Sequence, residues 1–178
     1  MPKSRHTVVL RRMSEWELPL CLAINRTNRR RWARRLFSLI SRLGDGWFWG
    51  ATAAGLLAAR GWVGTPVLAQ MAAVMVLCVL VYRNIKPRAQ RPRPCAMDDG
   101  ILRTVPPLDR YSFPSGHTMH AVAFTLVVLA TYPVLGLLLV PFTLLVAASR
   151  VVLGLHYPSD VAAGAFIGAA AALFVLQF

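Results

Sequence analysis

Acidic side chains are scarce in this chain: seven Asp and Glu stand against twenty Lys and Arg, a net charge of +13 over 178 residues. In a soluble protein that balance would point to nucleic acid, but no soluble basic domain with interleaved aromatics is present, which excludes that partner. Cysteine is rarer still. Cys21, Cys78 and Cys95 are too few and too far apart to define a disulfide framework, and they assign no redox compartment. The chain also lacks period-two alternation of apolar and polar residues, so its apolar segments are not strands of a closed barrel. No apolar run of ~7–15 residues precedes Glu15 and Glu17, so a cleaved signal peptide is not expected. There is no internal repeat.

What is abundant is apolar surface. The composition is 56% hydrophobic and the mean hydropathy is +0.52. Apolar stretches recur at about the ~20 residues that cross a ~30 Å hydrocarbon core as a helix. The expected fold is all-α, a polytopic membrane bundle of about five transmembrane helices. The spans fall at Trp47–Ala59, Pro66–Tyr82, His117–Tyr132, Val134–Arg150 and from Pro158 onward. Residues 1–13 read as a basic tail, 14–45 as an interfacial amphipathic segment, and 46–178 as the core. Within 26–42, arginines 29–31, 34 and 35 oppose a stripe of Trp32, Leu36, Phe37, Leu39 and Ile40, as suits a helix lying among anionic lipid headgroups. Gly44-Asp45-Gly46 reads as a break. Residues 83–116, rich in proline and arginine, read as one long loop, and a loop of that length in a short chain is usually functional. Gly164 and Gly168 have the spacing of close helix packing in lipid.

Three polar clusters interrupt this background, and an even number of crossings brings them to one membrane face. They are Lys86 with Arg93-Pro94, Tyr111-Ser112-Phe113-Pro114-Ser115-Gly116-His117, and Ser149-Arg150 followed by His156 and Asp160. Lys86, Arg93 and Arg150 supply fixed cations for phosphate oxygens. Ser115 and Gly116 add a hydroxyl and free backbone N–H groups at a helix start. Asp160, four residues beyond His156, can hold one imidazole nitrogen and leave the other as a nucleophile. His117 supplies a second imidazole, and two histidines facing one phosphate divide attack from leaving-group protonation. Ser115 as a covalent nucleophile is an open alternative. His117 and His120 share a helical face, but no carboxylate completes a metal site, so no metal is expected. Asp98 and Asp99 balance the neighbouring arginines, and Arg88, Arg91 and Arg103 are expected to contact lipid headgroups.

These clusters together resemble the complete three-part signature of the type 2 phosphatidic acid phosphatase superfamily. The pattern is Lys86-x6-Arg93-Pro94, Pro114-Ser115-Gly116-His117, and Ser149-Arg150-x5-His156-x3-Asp160. The resemblance implies a helical bundle and metal-independent, cofactor-free hydrolysis through a phosphohistidine. His156 would be the nucleophile, Asp160 its orienting partner, and His117 the general acid and then base. Lys86, Arg93, Ser115, Gly116 and Arg150 would bind the phosphate. Some members carry an additional N-terminal span, for which the chain ahead of the first span leaves no room. The expected substrate is a membrane lipid phosphate: phosphatidylglycerophosphate, phosphatidate or lysophosphatidate. The alternatives are an undecaprenyl pyrophosphate phosphatase and a non-catalytic anionic-lipid-binding protein. The expected location is the cell (inner) membrane. There the resemblance favours an outward-facing site, whereas every cation except Arg60 falls on the site's face and argues for the cytoplasm. Oligomeric state has no signature in the chain.

Overall fold

The computed structural model describes residues 5–107 and 109–178, with side chains from Val9 onward. The described residues form seven α-helices: α1 Arg5–Asn25, α2 Arg31–Arg42, α3 Phe48–Arg60, α4 Thr65–Ala89, α5 Gly116–Thr131, α6 Pro133–Val152 and α7 Pro158–Val175; short helical turns join α1 to α4, and a long loop joins α4 to α5. No strand occurs among the described residues. The membrane bundle is α3 to α7, which contains the five expected crossings. α6, α7 and the helical stretch Arg31–Ala96 are long and apolar enough to span a membrane, and α5 is a shorter apolar helix.

α5 lies at the centre and packs against α4, α6 and α7. Its Met119, Ala121, Ala123, Val127 and Val128 are all fully buried. A helix apolar all round is one with neighbours on every side. The outer helices turn Leu57, Val76, Leu80, Leu138, Leu144, Phe166 and Leu173 outward, toward the acyl chains of a bilayer. α7 meets α5 through Gly164 and Gly168, where a side-chain carbon would fall within 2.5 Å of the Ser115 carbonyl oxygen and 2.2 Å of the Met119 one. That bears out the close packing expected of the pair.

Three expectations are corrected. The basic tail 1–13 and the segment 14–25 are, from Arg5 on, a single 21-residue helix, α1; residues 1–4 lie outside the described residues. α1 docks through side chains that reach backbone carbonyls. Asn25 donates to Val152 O at 2.8 Å and to Leu102 O at 3.2 Å, and Asn28, just beyond α1, also donates to Val152 O at 2.8 Å. These bonds satisfy a carbonyl left over at the C-terminal end of α6. Second, α2 does not turn its apolar stripe one way. Ala33 and Ile40 are buried with Ser41, on the side where α2 packs against α6, while Trp32, Leu36 and Leu39 stay exposed. Third, α4 does not stop at Tyr82 but runs 25 residues to Ala89, about 38 Å at 1.5 Å per residue. Pro87 lies in the last turn, where its missing N–H leaves the Arg83 carbonyl without its helical bond, and Gln90 then ends the helix in the left-handed region at φ 48°.

Candidate active site

The ends of the helices converge on one cavity of about 410 Å³. Lys86 comes from the last turn of α4, Gly116 and His117 from the first turn of α5, and Arg150 from the end of α6. Arg93 and Asp109 enter from the loop between α4 and α5, His156 from the turn between α6 and α7, and Asp45 from the bend between α2 and α3. The remaining wall is mostly apolar and includes Trp49, Met75, Val79 and Phe124. Six of the eight expected site residues therefore line one space. Asp160 lies behind His156 and does not reach the cavity. Ser115 is fully buried below it, with its hydroxyl 3.0 Å from that of Thr118 and its N–H donated to the Asp160 carbonyl at 3.1 Å.

His156 is buried, and its neighbours fix its tautomer. Arg93 Nη1 lies 3.1 Å from Nε2, and a guanidinium only donates, so Nε2 must be the unprotonated acceptor. The proton is then on Nδ1, which faces Asp160 Oδ2 at 3.6 Å, beyond hydrogen-bond range. Burial first, and then the charges of Arg93, Arg150 and Lys86, push the His156 pKa well below its ordinary value. The ring is therefore neutral, with its lone pair on the cavity side.

Asp160 is held on both oxygens. Oδ2 accepts the Tyr157 N–H at 2.9 Å, closing a capping box at the start of α7, and Oδ1 accepts Arg91 Nη1 at 2.6 Å. Arg91 corrects the headgroup expectation, because it is only 1% exposed. Its Nε donates to Ser14 at 3.0 Å, Nη1 also to Ser159 at 2.6 Å, and Nη2 to Glu17 at 2.6 Å. Its guanidinium stacks 4.0 Å from the centre of the Tyr157 ring. Arg88 and Arg103 are exposed.

Two further carboxylates were not singled out by sequence. Asp45 pairs with Nε2 of His117. It can do so because Gly46 adopts φ 131°, a conformation that L side chains rarely take, and so turns the chain between α2 and α3. Asp109 accepts Lys86 Nζ, Arg93 Nη2 at 2.9 Å and, through its backbone carbonyl, Arg93 Nε at 3.0 Å. Partial burial works against its ionised form, but the bonds and charges of Lys86 and then Arg93 outweigh it and hold the carboxyl below the usual range. Arg150 is buried, donates to the Ser41 hydroxyl, and keeps its Nε without a protein partner. The assembled groups can bind an oxyanion on three cations and present one neutral imidazole lone pair to it. A second imidazole stands at the cavity's edge.

The sequence model described as the PAP2 superfamily matches residues 67–178. The decaprenylphosphoryl-5-phosphoribose phosphatase of Mycobacterium tuberculosis is 39% identical over 94 residues, 52% of this chain and 48% of that protein. The bacitracin transport permease protein BcrC of Bacillus licheniformis is 41% identical over 64 residues, 36% of this chain and 32% of that protein. This chain thus spans about half or less of the length of the curated relatives it matches. Among solved structures, LpxE of Aquifex aeolicus superposes with a TM-score of 0.73 at 23% identity, covering 92% of this chain and 96% of that one. A transmembrane PAP2 type phosphatidylglycerolphosphate phosphatase from Bacillus subtilis superposes with a TM-score of 0.66 at 23% identity, covering 98% and 96%. Both neighbours share the fold.

Proposed function

The chain belongs to the PAP2 superfamily, and from that premise we propose that it is an integral-membrane phosphatase hydrolysing the phosphomonoester of a lipid phosphate, without a metal, through a phosphohistidine on His156. The observation that carries this is the His156 ring: neutral, with its lone pair on Nε2 beside Arg93 at the cavity wall.

In the proposed sequence, Lys86, Arg93, Arg150 and the Gly116 N–H take the three non-bridging phosphate oxygens. The phosphate draws on Arg93's donors and leaves the His156 lone pair free. Nε2 attacks phosphorus, the bond to the lipid oxygen breaks, and His117 gives that oxygen a proton. Asp160 balances the charge that develops on the His156 ring. His117 then takes a proton from water, the water oxygen attacks phosphorus, and the P–N bond breaks to release inorganic phosphate. Asp45 steadies the His117 ring. Ser115 acts through its backbone, bracing the start of α5 against Asp160, and not through its hydroxyl.

Phosphatidylglycerophosphate, phosphatidate and lysophosphatidate all fit a site whose apolar wall accepts a chain without reading it. One relative's name specifies a decaprenyl-linked sugar phosphate and one structural neighbour's a glycerolipid phosphate. Both names describe a phosphomonoester on a lipid. An undecaprenyl pyrophosphate substrate is the second reading, since the same cavity would hold a terminal phosphoryl group. We place the protein in the cell membrane with the site facing outward, and the arginines of 26–42 among anionic headgroups.

Detergent-purified protein should release phosphate from phosphatidate in EDTA, and His156→Ala should release none. Activity surviving in the variant would show that the nucleophile is misassigned. Activity abolished by EDTA in the wild type would remove the metal-free route. Silence on both monoester and pyrophosphate lipids would favour a non-catalytic lipid-binding protein.

A further inference from the structure

Asp109 occupies the position a phosphate oxygen needs. Its carboxylate bridges Lys86 Nζ and Arg93 Nη2, two of the three cations that line the cavity. Arg93's other donors are committed elsewhere: Nε to the Asp109 carbonyl, and Nη1 to the Leu155 carbonyl at 2.8 Å and His156. Nη2 is the guanidinium nitrogen given wholly to a carboxylate, and Asp109 has it. The Asp109 side chain is 38% exposed, against 10% for Lys86 and 4% for Arg93. It therefore reaches buried cations from the water side. Rotation of the side chain alone would clear both cations, while the backbone carbonyl keeps Arg93 in place.

The balance of charge decides what can displace it. Three cations (Lys86, Arg93, Arg150) and two carboxylates (Asp45, Asp109) line the cavity. An incoming phosphodiester carries one negative charge, as Asp109 does, so it exchanges like for like. Either anion must compete with a group tethered at an effective concentration on the order of millimolar. A phosphomonoester dianion brings twice the charge to the same cations, in a region where Coulomb energies exceed those in water. A bilayer surrounds this cavity with phosphodiester headgroups, and a penalty common to both anions leaves only the stronger binder, the dianion, able to occupy the subsite.

We infer that Asp109 is a specificity residue whose carboxylate closes the phosphate subsite to monoanionic phosphodiesters and yields to a dianionic phosphomonoester. The inference rests on reading the cavity as a phosphomonoester site. Binding is therefore the measurement that tests it, and turnover is not needed. Wild type and Asp109→Asn, each checked for folding by its thermal melt, are titrated calorimetrically with inorganic phosphate and with diethyl phosphate at mildly alkaline pH. The wild type should bind phosphate and discriminate against the diester. The variant should bind both about tenfold more tightly, a gain of ~1.4 kcal/mol for each, which brings the diester into the measurable range. Asp109→Ala, which also removes the hydrogen bonds, should behave alike. Unchanged affinity for both anions in both variants would overturn the inference. So would a fall in phosphate affinity, which would make Asp109 a fixed support for Lys86 and Arg93. If neither wild type nor variant binds phosphate, the phosphomonoester reading fails and the role of Asp109 falls with it.

Discussion

At Arg91 every guanidinium nitrogen is engaged, by Ser14, Ser159, Asp160 and Glu17. With both Arg91 and Asp160 sealed from solvent, removing the cation leaves two carboxylates facing a low-dielectric region. Breaking a buried pair from one side costs about 3–5 kcal/mol, so Arg91→Gln should unfold at a distinctly lower temperature in detergent. Arg91→Lys keeps the charge but not the fork that holds Asp160, Ser159 and Glu17 together. It should fold, lower kcat and leave KM unchanged, because Lys86, Arg93 and Arg150 are untouched. A raised KM at normal kcat would instead put Arg91 in contact with substrate. This residue also marks where sequence reading stops. Lys86, Arg93, His117, Arg150 and His156 were legible because their spacing carries the pattern. Arg91, Asp45 and Asp109 were not, since each is defined by a partner distant in the chain: Arg91 and Asp160 are 69 apart, Asp45 and His117 72 apart, and Asp109 lies 23 from Lys86. Arg91 and Arg93 do sit two apart ahead of a proline, and one face of an extended strand would have been a hint.

Elements carry these residues, and their packing sets the site's dimensions. α5 brings His117 and α7 starts beside His156 and Asp160, so the separation of the two helices fixes the distance between the imidazoles. A methyl added at Gly168 would meet the Met119 backbone carbonyl, and one at Gly164 the Ser115 carbonyl; neither obstacle is the flexible end of a side chain. Gly168→Ala should therefore cost about 1–3 kcal/mol, as overpacking does, and reduce activity by parting α5 from α7. Gly50→Ala and Gly55→Ala on α3 meet nothing within 4 Å. They should leave activity intact and, by helix propensity, raise stability by up to about 1 kcal/mol. Melting curves and phosphate release for the three variants check the contrast, and equal behaviour would refute it. The glycine pair was readable from spacing because small residues repeat with the helix. α1 was not, because its docking partners lie far away in the chain: Asn25 and its neighbour Asn28 bond two distant carbonyls, Glu17 pairs with Arg91, and Leu18, Cys21 and Leu22 pack on Ile101 and Tyr157. The end of α4 was misplaced by treating Pro87 as a stop, whereas the helix carries it two residues before its end at Ala89.

For the molecule as a whole, charge and family resemblance disagree about orientation, and the structure changes how the charges should be counted. The turn at Arg60 lies with Tyr132, whose ring it covers at 5.2 Å, and all other cations belong to the site's side by connectivity. Four of these are buried: Lys86, Arg91, Arg93 and Arg150. Each contacts a carboxylate, a hydroxyl or a backbone carbonyl. Cations enclosed by the fold for binding are weak reporters of topology, which the rule reads from short flanking loops. The arginines of α2 and the turn before it remain exposed, apart from the half-buried Arg34, but a helix lying in the interface is held by headgroups on either leaflet. The weight of the count therefore falls to a few loop residues, and an outward-facing site is compatible with it. Cysteines introduced at the two ends decide the matter. In a Cys95→Ala background, with Cys21 and Cys78 buried, Arg103→Cys should react with a membrane-impermeant maleimide on intact cells. Val63→Cys, at an exposed position in the opposite turn, should react only after the cells are opened. The reverse pattern would turn the site to the cytoplasm, restore the charge count as the better guide, and restrict the substrate to lipid phosphates of the inner leaflet.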